Sequence, residues 1–591
     1  MPSKILPVLA IWLLLRPAWS QSTGATDPGY NCTSTQSCWP TTSEWQALNT
    51  SVDGNLFATV PWAAPCYSSS GHYNSAQCSV IADNYANSTA RSSIYGACET
   101  LNWETCSGTG CALESLDPSL PPLFQTCSLG SLATYYVAVQ NADHVAATIN
   151  FAREYNVRLT IKNTGHDYLG RSTAPNSLAV WTYNLQDMIY HETFTASNCP
   201  AANGKNIGEI GAGVQAAAAY TFFETYNMNV VGGNEGTVGL AGGFGQGGGH
   251  GIFGPSYGLM VDNAVEFDVV TADGKLRTIN ECNDPDLFWA MRGGGGGTYA
   301  VLTAYRFQLH PAIPINVFAF KASFSLLSSS STLTSIMTAH ANNQTNWSNN
   351  NVSGHAYYFP DQVEMYLVLP YNDDGAQLKS LTSEFQTFLT NDTSLTITQN
   401  NYTTYPTYSE FLALTQAIAN RLTPGGDFEV IASRLLPRDL FATPSNVSAL
   451  VDAVITGMQT NENVLDYFSK VPTQVIMTTP ANHPDTQNAT GLNPAWRTAL
   501  WHLVYSSGWV KGISDFISDP ITTTALAAVD PVKALTVGGG AYVNEAHFEE
   551  PEWEETFFGS KYDTLLGIKN QYDPTHLFDC FKCVGWRGAN E

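Results

Sequence analysis

The sequence predicts an α+β fold divided among more than one domain, with a disulfide-stapled segment near its N-terminus. Three observations predict it. The chain has 591 residues, more than one hydrophobic core accommodates. Stretches of alternating apolar residues are interleaved with stretches at helical spacing. Most of the 12 cysteines fall between Cys32 and Cys127, which in an oxidising compartment reads as a disulfide framework.

Residues 1–20 have the layout of a secretory signal peptide. Lys4 precedes an apolar run from Ile5 to Leu15, and Ala18 and Ser20 precede Gln21. The run is too short to span a bilayer. Sequons at Asn31, Asn49, Asn87, Asn343, Asn346, Asn351, Asn391, Asn401, Asn446 and Asn488 agree with export. None lies between residues 90 and 340, so that span is expected to pack around something. The formal net charge of −25 argues against a nucleic-acid partner, and no basic stripe offers a membrane contact.

Residues 21–130 are rich in Ser, Thr, Asn, Pro and Cys and read as a loop-rich, stapled cap. A helix starts near Asn141 with Asp143 as its cap, and Val145, Ile149 and Ala152 follow at helical spacing. "VRLTIK" and "SLAVWTY" read as strands, and "VQAAAAYTFFETYNM" as a helix. "AVEFDVVTADGKLRTI" reads as a hairpin, "PDLFWAM" as a short helix and "TYAVLTAYRFQL" as a strand. Residues 131–310 are thus one α+β domain, residues 312–533 a second, and residues 534–591 a tail of strand, loop and helix. Cys580 and Cys583 form a lone C-x-x-C, read as a disulfide rather than zinc ligands. No motif for a resident metal is found.

Two motifs carry chemistry. In "TIKNTGHDYLGRST", His166 sits between Gly165 and Asp167 directly after a β-branched run. An imidazole there can be a base, a metal ligand, a covalent anchor or a polar turn residue. The second motif, "VVGGNEGTVGLAGGFGQGGGHGIFG", is about half glycine. Glycine lets backbone N–H groups approach a ligand closely, and consecutive N–H groups form an anion nest suited to a pyrophosphate. Gly243, Gly245 and Gly248 match G-x-G-x-x-G, but "HGIFGPSYGL" follows instead of a helix, which rejects a Rossmann site.

Four segments in order, "TIKNTGHDYLGRST", "GGNEGTVGLAGGFGQGGGHG", "DLFWAMRGGGGGTYAVLT" and "YVNEA…YDPTHLF", resemble the FAD-linked oxidases of the vanillyl-alcohol oxidase type with a PCMH-type FAD-binding domain. The likeness is to their berberine-bridge-enzyme-like branch, and the Cys-rich leader is similar to secreted fungal members called isoamyl alcohol oxidases or chanoclavine synthases. The resemblance implies a two-lobed FAD domain (131–310 plus 534–591) and a substrate domain whose sheet covers the flavin (312–533). It implies an 8α-histidyl link from His166 to FAD. It places Asn163, Thr164, Gly165, Asp167, Ser172, Thr237, Val238, Gly239, Gly242, Gly243, Tyr257 and Asn544 around the cofactor. Glu235 stands where many members have a second, cysteinyl link, so a singly linked flavin is expected. Val238, three residues on, resembles the oxygen gatekeeper of the oxidases.

The family's Tyr-x-Asn motif is Tyr542-Val543-Asn544. On a strand, alternation puts Tyr542 and Asn544 on one face. Tyr542 is the expected proton acceptor, although a phenol, with a pKa of about 10, needs help to act as a base. His250, Tyr257 and His502 are secondary candidates. The implied function is a secreted FAD oxidase that takes a hydride from a C–OH group of a small molecule and reduces O2 to H2O2. Oxidative bond formation in secondary metabolism and a flavin-bearing binding glycoprotein are the alternatives.

Overall fold

The computed structural model describes residues 32–588 except 107, 115–116, 121, 123–124, 201–202, 423–424, 463–471, 484–487, 510 and 512–514. The expected signal peptide and the Asn31 sequon lie outside the described residues.

The first lobe is built on a four-stranded sheet in the order Leu56–Ala58, Tyr135–Ala138, Leu178–Trp181, Leu159–Lys162. The last three strands run parallel, and the helix Ala142–Glu154 makes the crossover that parallel pairing requires. Val145, Ile149 and Ala152 of that helix pack on Val137, Val180 and Leu159 of the sheet. The helix cap is Asn141, not Asp143: the Asn141 side chain accepts the N–H of His144. Asp143 lies in the first turn, where its charge favours the positive helix end.

The second lobe carries a five-stranded antiparallel sheet. It includes the hairpin Ala264–Thr271 with Leu276–Ile279 and the strand Ala300–Gln308. Its apolar face joins the helix Ala216–Glu224 and the glycine-rich segment in the largest core.

From Ile315 onward a seven-stranded antiparallel sheet forms, in the order Thr396–Tyr405, Ile315–Ser323, Gln362–Pro370, Ser353–Phe359, Thr473–Ile476, Ala499–Trp509, Phe428–Pro437. The period of two decides what each face does. Phe318, Phe320 and Ala322 point into a core made with the helices Ser329–Asn349, Ala376–Asn391 and Pro444–Glu462. Ile315, Val317 and Ala319 point the other way, into the core shared with the glycine-rich lobe. One sheet therefore serves as wall to two bodies.

The leader is stapled by Cys32–Cys38, Cys66–Cys78 and Cys111–Cys127. Cys98 and Cys106 carry no bridge, so the cluster is less than a full disulfide framework. Cys98 is buried, and burial pushes its thiol up to about 12. Polar contacts do the remaining stapling. Buried Arg91 pairs with Glu104 and donates to the carbonyls of Cys98 (2.6 Å) and Tyr85 (2.9 Å). Lys162 reaches from its strand to the carbonyls of Tyr95 (2.8 Å) and Ala97. Cys199–Cys282 and Cys580–Cys583 are the other bridges.

The tail returns to the first lobes. Lys569 donates to the carbonyls of Thr298 (2.6 Å) and Phe578 (2.9 Å), and Arg171 donates to those of Phe581 and Lys582. The strand expected at Tyr542–Asn544 is instead a turn closed by Glu545 N–H donating to Tyr542 O at 3.0 Å. Contact with the strand Phe428–Pro437 ends at Gly540, which accepts the N–H of Leu435 at 2.8 Å, and the chain then turns so that Tyr542 to Glu545 line the cavity described below.

Phe318 is fully buried and stacks on Tyr402 at 4.8 Å. Phe318→Ala should cost about 3–5 kcal/mol of stability, read by chemical denaturation. Phe57→Ala, at a side chain 43% exposed, should change it by less than about 0.5 kcal/mol.

Candidate active site

A cavity of about 520 Å³ lies where these bodies meet. One wall is the loop after the strand Leu159–Lys162, through Pro175. The floor is the glycine-rich run from Val238 to Gln246. Leader residues Glu99, Thr100 and Trp103 form a second wall, and the tail supplies Tyr542 to Glu545 and Phe578 to Phe581. Glu429 enters from the seven-stranded sheet.

The loop owes its shape to one carboxylate. Asp167 Oδ1 accepts the N–H groups of Leu169 and Gly170, both at 3.0 Å, and Oδ2 accepts that of Ser172 at 2.7 Å. Gly165 has φ +90°, a conformation side chains rarely adopt, and it turns the chain so that His166 faces the cavity. His166 Nε2 lies 2.7 Å from Thr237 Oγ1 and 3.8 Å from Glu99 Oε1. Thr164 Oγ1 accepts Gly239 N–H at 3.2 Å, which ties loop to floor. Asn163 donates to Thr182 Oγ1 at 2.9 Å and to Ala212 O at 2.5 Å. The approach leaves no room: a Cβ on Gly239 would stand 1.8 Å from Asn163 Oδ1.

Of the residues expected around a cofactor, Asn163, Thr164, Gly165, His166, Asp167, Ser172, Val238, Gly239, Gly242, Gly243 and Asn544 all line this cavity. Thr237 stands behind His166 through its hydroxyl. Tyr257 lies elsewhere, stacked on His310 at 3.8 Å between ring centres. His250 and His502 are not on the cavity surface; they stand behind Glu545, which is. Four buried polar atoms of the lining, Glu99 Oε1, Thr160 Oγ1, Asn163 Oδ1 and Thr173 Oγ1, have no hydrogen-bond partner. Orphaned polar atoms on a glycine-smoothed channel suit a long polar cofactor such as FAD, which can satisfy them. Arg171 and Arg158 also line the channel, and burial pushes each guanidinium down to about 10.

At the other end Tyr542 Oη accepts two N–H groups, from Asn544 Nδ2 at 2.8 Å and Gly249 N at 3.2 Å. The expected pairing of Tyr542 with Asn544 is therefore present on a turn instead of a strand. Burial, and then the charge of Glu545, push the phenol up; the two donors only partly oppose this. Burial also works against the charge of Glu545, but His250 and His502 outweigh it and hold this carboxyl well below the usual range.

Sequence reasoning did not single out Glu99, Tyr168, Arg171, Glu429 or Glu545. Glu545 directly follows the Tyr-x-Asn motif, and Tyr168 and Arg171 lie inside the histidine motif, so proximity was their signal. Glu99 and Glu429 had none, because only folding brings them to the cavity.

Burial, with Asp427 nearby, pushes the Glu429 carboxyl up to about 8. In the unfolded chain it titrates near about 4.3. Between those values the folded state holds a proton the unfolded state has released, so this group makes stability fall as pH rises. Glu429→Gln should therefore stabilise the protein by an amount that grows from about pH 4 to about pH 8 and then levels off. Thermal unfolding of both proteins across that range is the measurement.

Comparison with known proteins agrees with this geometry. The "FAD binding domain" family model matches residues 133–280, and "Berberine and berberine like" matches residues 541–582. The FAD-linked oxidoreductase ZEB1 of Gibberella zeae is 33% identical, covering 99% of this chain and 96% of its own. The VAO-type flavoprotein oxidase VAO615 of Thermothelomyces thermophilus is 32% identical, with 91% and 90% covered. The crystal structure of the VAO-type flavoprotein MtVAO615 from Myceliophthora thermophila C1 superposes with a TM-score of 0.82 at 29% identity, covering 94% of this chain and 97% of that one. Sequence, fold and cavity converge on one assignment: the chain belongs to the fungal FAD-linked, VAO-type flavoprotein oxidoreductases with a berberine-like C-terminal segment.

Proposed function

We propose that this FAD-dependent oxidoreductase is a secreted oxidase. It takes a hydride from a C–OH group of a small alcohol, phenolic alcohol or carbohydrate and passes the electrons to O2, giving H2O2. The observation that carries the reading is His166: a glycine turn with positive φ presents its imidazole to the cavity, over the glycine-rich floor. We assign His166 as the single covalent anchor of FAD. Glu235 cannot form a thioether, and its Oε1 is engaged by Thr237 N (3.2 Å) and Oγ1 (2.9 Å).

Bound FAD supplies the two-electron acceptor for the substrate carbon. The chain supplies orientation and proton handling. Asp167 holds the loop, and through it His166, in one conformation. Asn163, Thr160 and Thr173 offer oxygens that lack a partner to the channel. Tyr542 Oη is the atom assigned to handle the substrate hydroxyl proton. Gly249 N–H and Asn544 Nδ2–H point at that oxygen and stabilise negative charge on it. The signal-peptide layout of residues 1–20 supports export.

The flavin of the parent should stay with the protein through acid precipitation, and His166→Ala should release it. Loss of flavin from the parent would refute the covalent link. Tyr542→Phe should keep the flavin and slow its anaerobic reduction by about 10²–10⁴-fold. An unchanged rate would move proton transfer elsewhere. A panel of alcohols, sugars and phenols screened for peroxide tests the oxidase assignment, which a cyclised product formed without turnover of simple alcohols would overturn.

A further inference from the structure

Among the described residues, one group of side chains could hold a metal ion: His250 and His502, which stand behind the cofactor channel, and Glu545, which lines it. They come from three distant parts of the chain. His250 ends the glycine-rich segment, His502 lies on the strand Ala499–Trp509, and Glu545 closes the turn after Asn544. His250 Nε2 lies 3.1 Å from Glu545 Oε1, and His502 Nε2 lies 2.8 Å from Glu545 Oε2. One ligating atom from each residue lies within 4.8 Å of the others.

We propose that His250, His502 and Glu545 form a binding site for a divalent transition metal of the zinc class. The donor set is two imidazole nitrogens and one carboxylate. Protein ligands lie about 2.0–2.1 Å from zinc in a tetrahedral set, so two ligands of one ion stand about 3.4 Å apart. The two His–Glu separations, 3.1 and 2.8 Å, are hydrogen-bond lengths, so an ion would displace the shared protons and spread the three groups by a few tenths of an ångström. The donor chemistry selects zinc or copper over magnesium or calcium, which take oxygen.

The surroundings fit a ligand set. His250 Nδ1 is engaged by Thr478 Oγ1 at 2.8 Å, which orients the ring and leaves Nε2 for the ion. His502 is fully buried and its Nε2 faces Glu545, while its Nδ1 has no hydrogen-bond partner among the described residues. Trp496 lies against both imidazoles, 5.8 Å from His250 and 5.7 Å from His502, and excludes water on that side. Glu545 alone of the three reaches the cavity surface. An ion here sits beside the Tyr542 ring, which lies 5.3 Å from His250 and 6.0 Å from His502. It would set a positive charge where Glu545 now sets a negative one. The proposal does not depend on how the flavin is attached.

The test uses the untagged holoenzyme, with flavin content measured separately. The protein is incubated with ZnCl2, freed of excess by gel filtration and analysed for metal. About one zinc per chain should be retained. His502→Gln and Glu545→Gln should each weaken zinc binding at least about tenfold by calorimetry, while His310→Asn, outside the group, should not. In case a variant does not fold, Cu2+ added to the unsubstituted protein gives a second reading: its electron paramagnetic resonance spectrum should show nitrogen coupling from two imidazoles. A parent that retains less than about a tenth of a zinc per chain shows the three side chains to be only a hydrogen-bonded cluster and overturns the proposal. So does zinc binding unchanged in folded variants, or a copper spectrum without nitrogen coupling.

Discussion

The closeness with which the glycine-rich segment approaches its neighbours governs the rest of the structure. At Gly239 the backbone lies so near Asn163 that a Cβ would stand 1.8 Å from its Oδ1, and at Gly251 one would stand 1.8 Å from Gly232 O. A side chain at Gly239 would push the floor of the cavity away from the loop that carries His166, and one at Gly251 would force apart two stretches of the glycine-rich segment itself. Glycine is entropically costly here, and the cost is offset by the core around the segment, where Leu240, Ala241, Ile252 and Phe253 are fully buried. The floor is packed into the core on one side while its glycines line the channel on the other.

The cavity belongs to no single body. The first lobe supplies the loop, the second supplies the floor, and the seven-stranded sheet and the tail close the reacting end. The leader is a wall as well as a cap: Glu99, Thr100 and Trp103 line the channel, and Lys162 reaches into the leader to anchor them. Arg158 and Arg171 both line the channel, and Arg171 donates to the main-chain carbonyls of Phe581 and Lys582 in the tail. Glu99, Glu235, Glu429 and Glu545 act together on Tyr168, whose phenol they and burial push far up, the largest influence being Glu429. Charged groups fixed in the lining of a channel orient a bound molecule before any chemistry begins.

Much of the site was legible because its parts are local in sequence. Gly165-His166-Asp167 makes its turn from three neighbouring residues, and the absence of cysteine at Glu235 can be read directly. The strand Ile315–Ser323 is apolar on both faces, and those faces belong to two cores, which no alternation in the sequence reveals. Other readings failed for physical reasons. The Tyr542 segment alternates like a strand, but its contact with the neighbouring strand stops at Gly540 and the chain bends into a turn that still brings Tyr542 and Asn544 together. Eight leader cysteines suggested full pairing, yet Cys98 is buried without a bridge where Arg91, Glu104 and Lys162 hold the leader by charge instead. Tyr257 stacked on His310 because that ring, not the channel, lies beside it.

The sequence by itself determined the local rules: which stretches are strands or helices, where glycine permits close approach, which histidine stands after a positive-φ turn, and which family the ordered motifs resemble. These depend on residues a few positions apart, whose steric and hydrogen-bonding preferences act before the chain is packed. Only the tertiary structure decided how distant parts meet. Glu99, Glu429 and Glu545 share one cavity, and His250 and His502 come to flank one carboxylate 3.1 and 2.8 Å away. Nothing in the spacing of these residues along the chain encodes that meeting. It follows from burial of two faces of one sheet and from the return of the tail, both of which are properties of the packed whole.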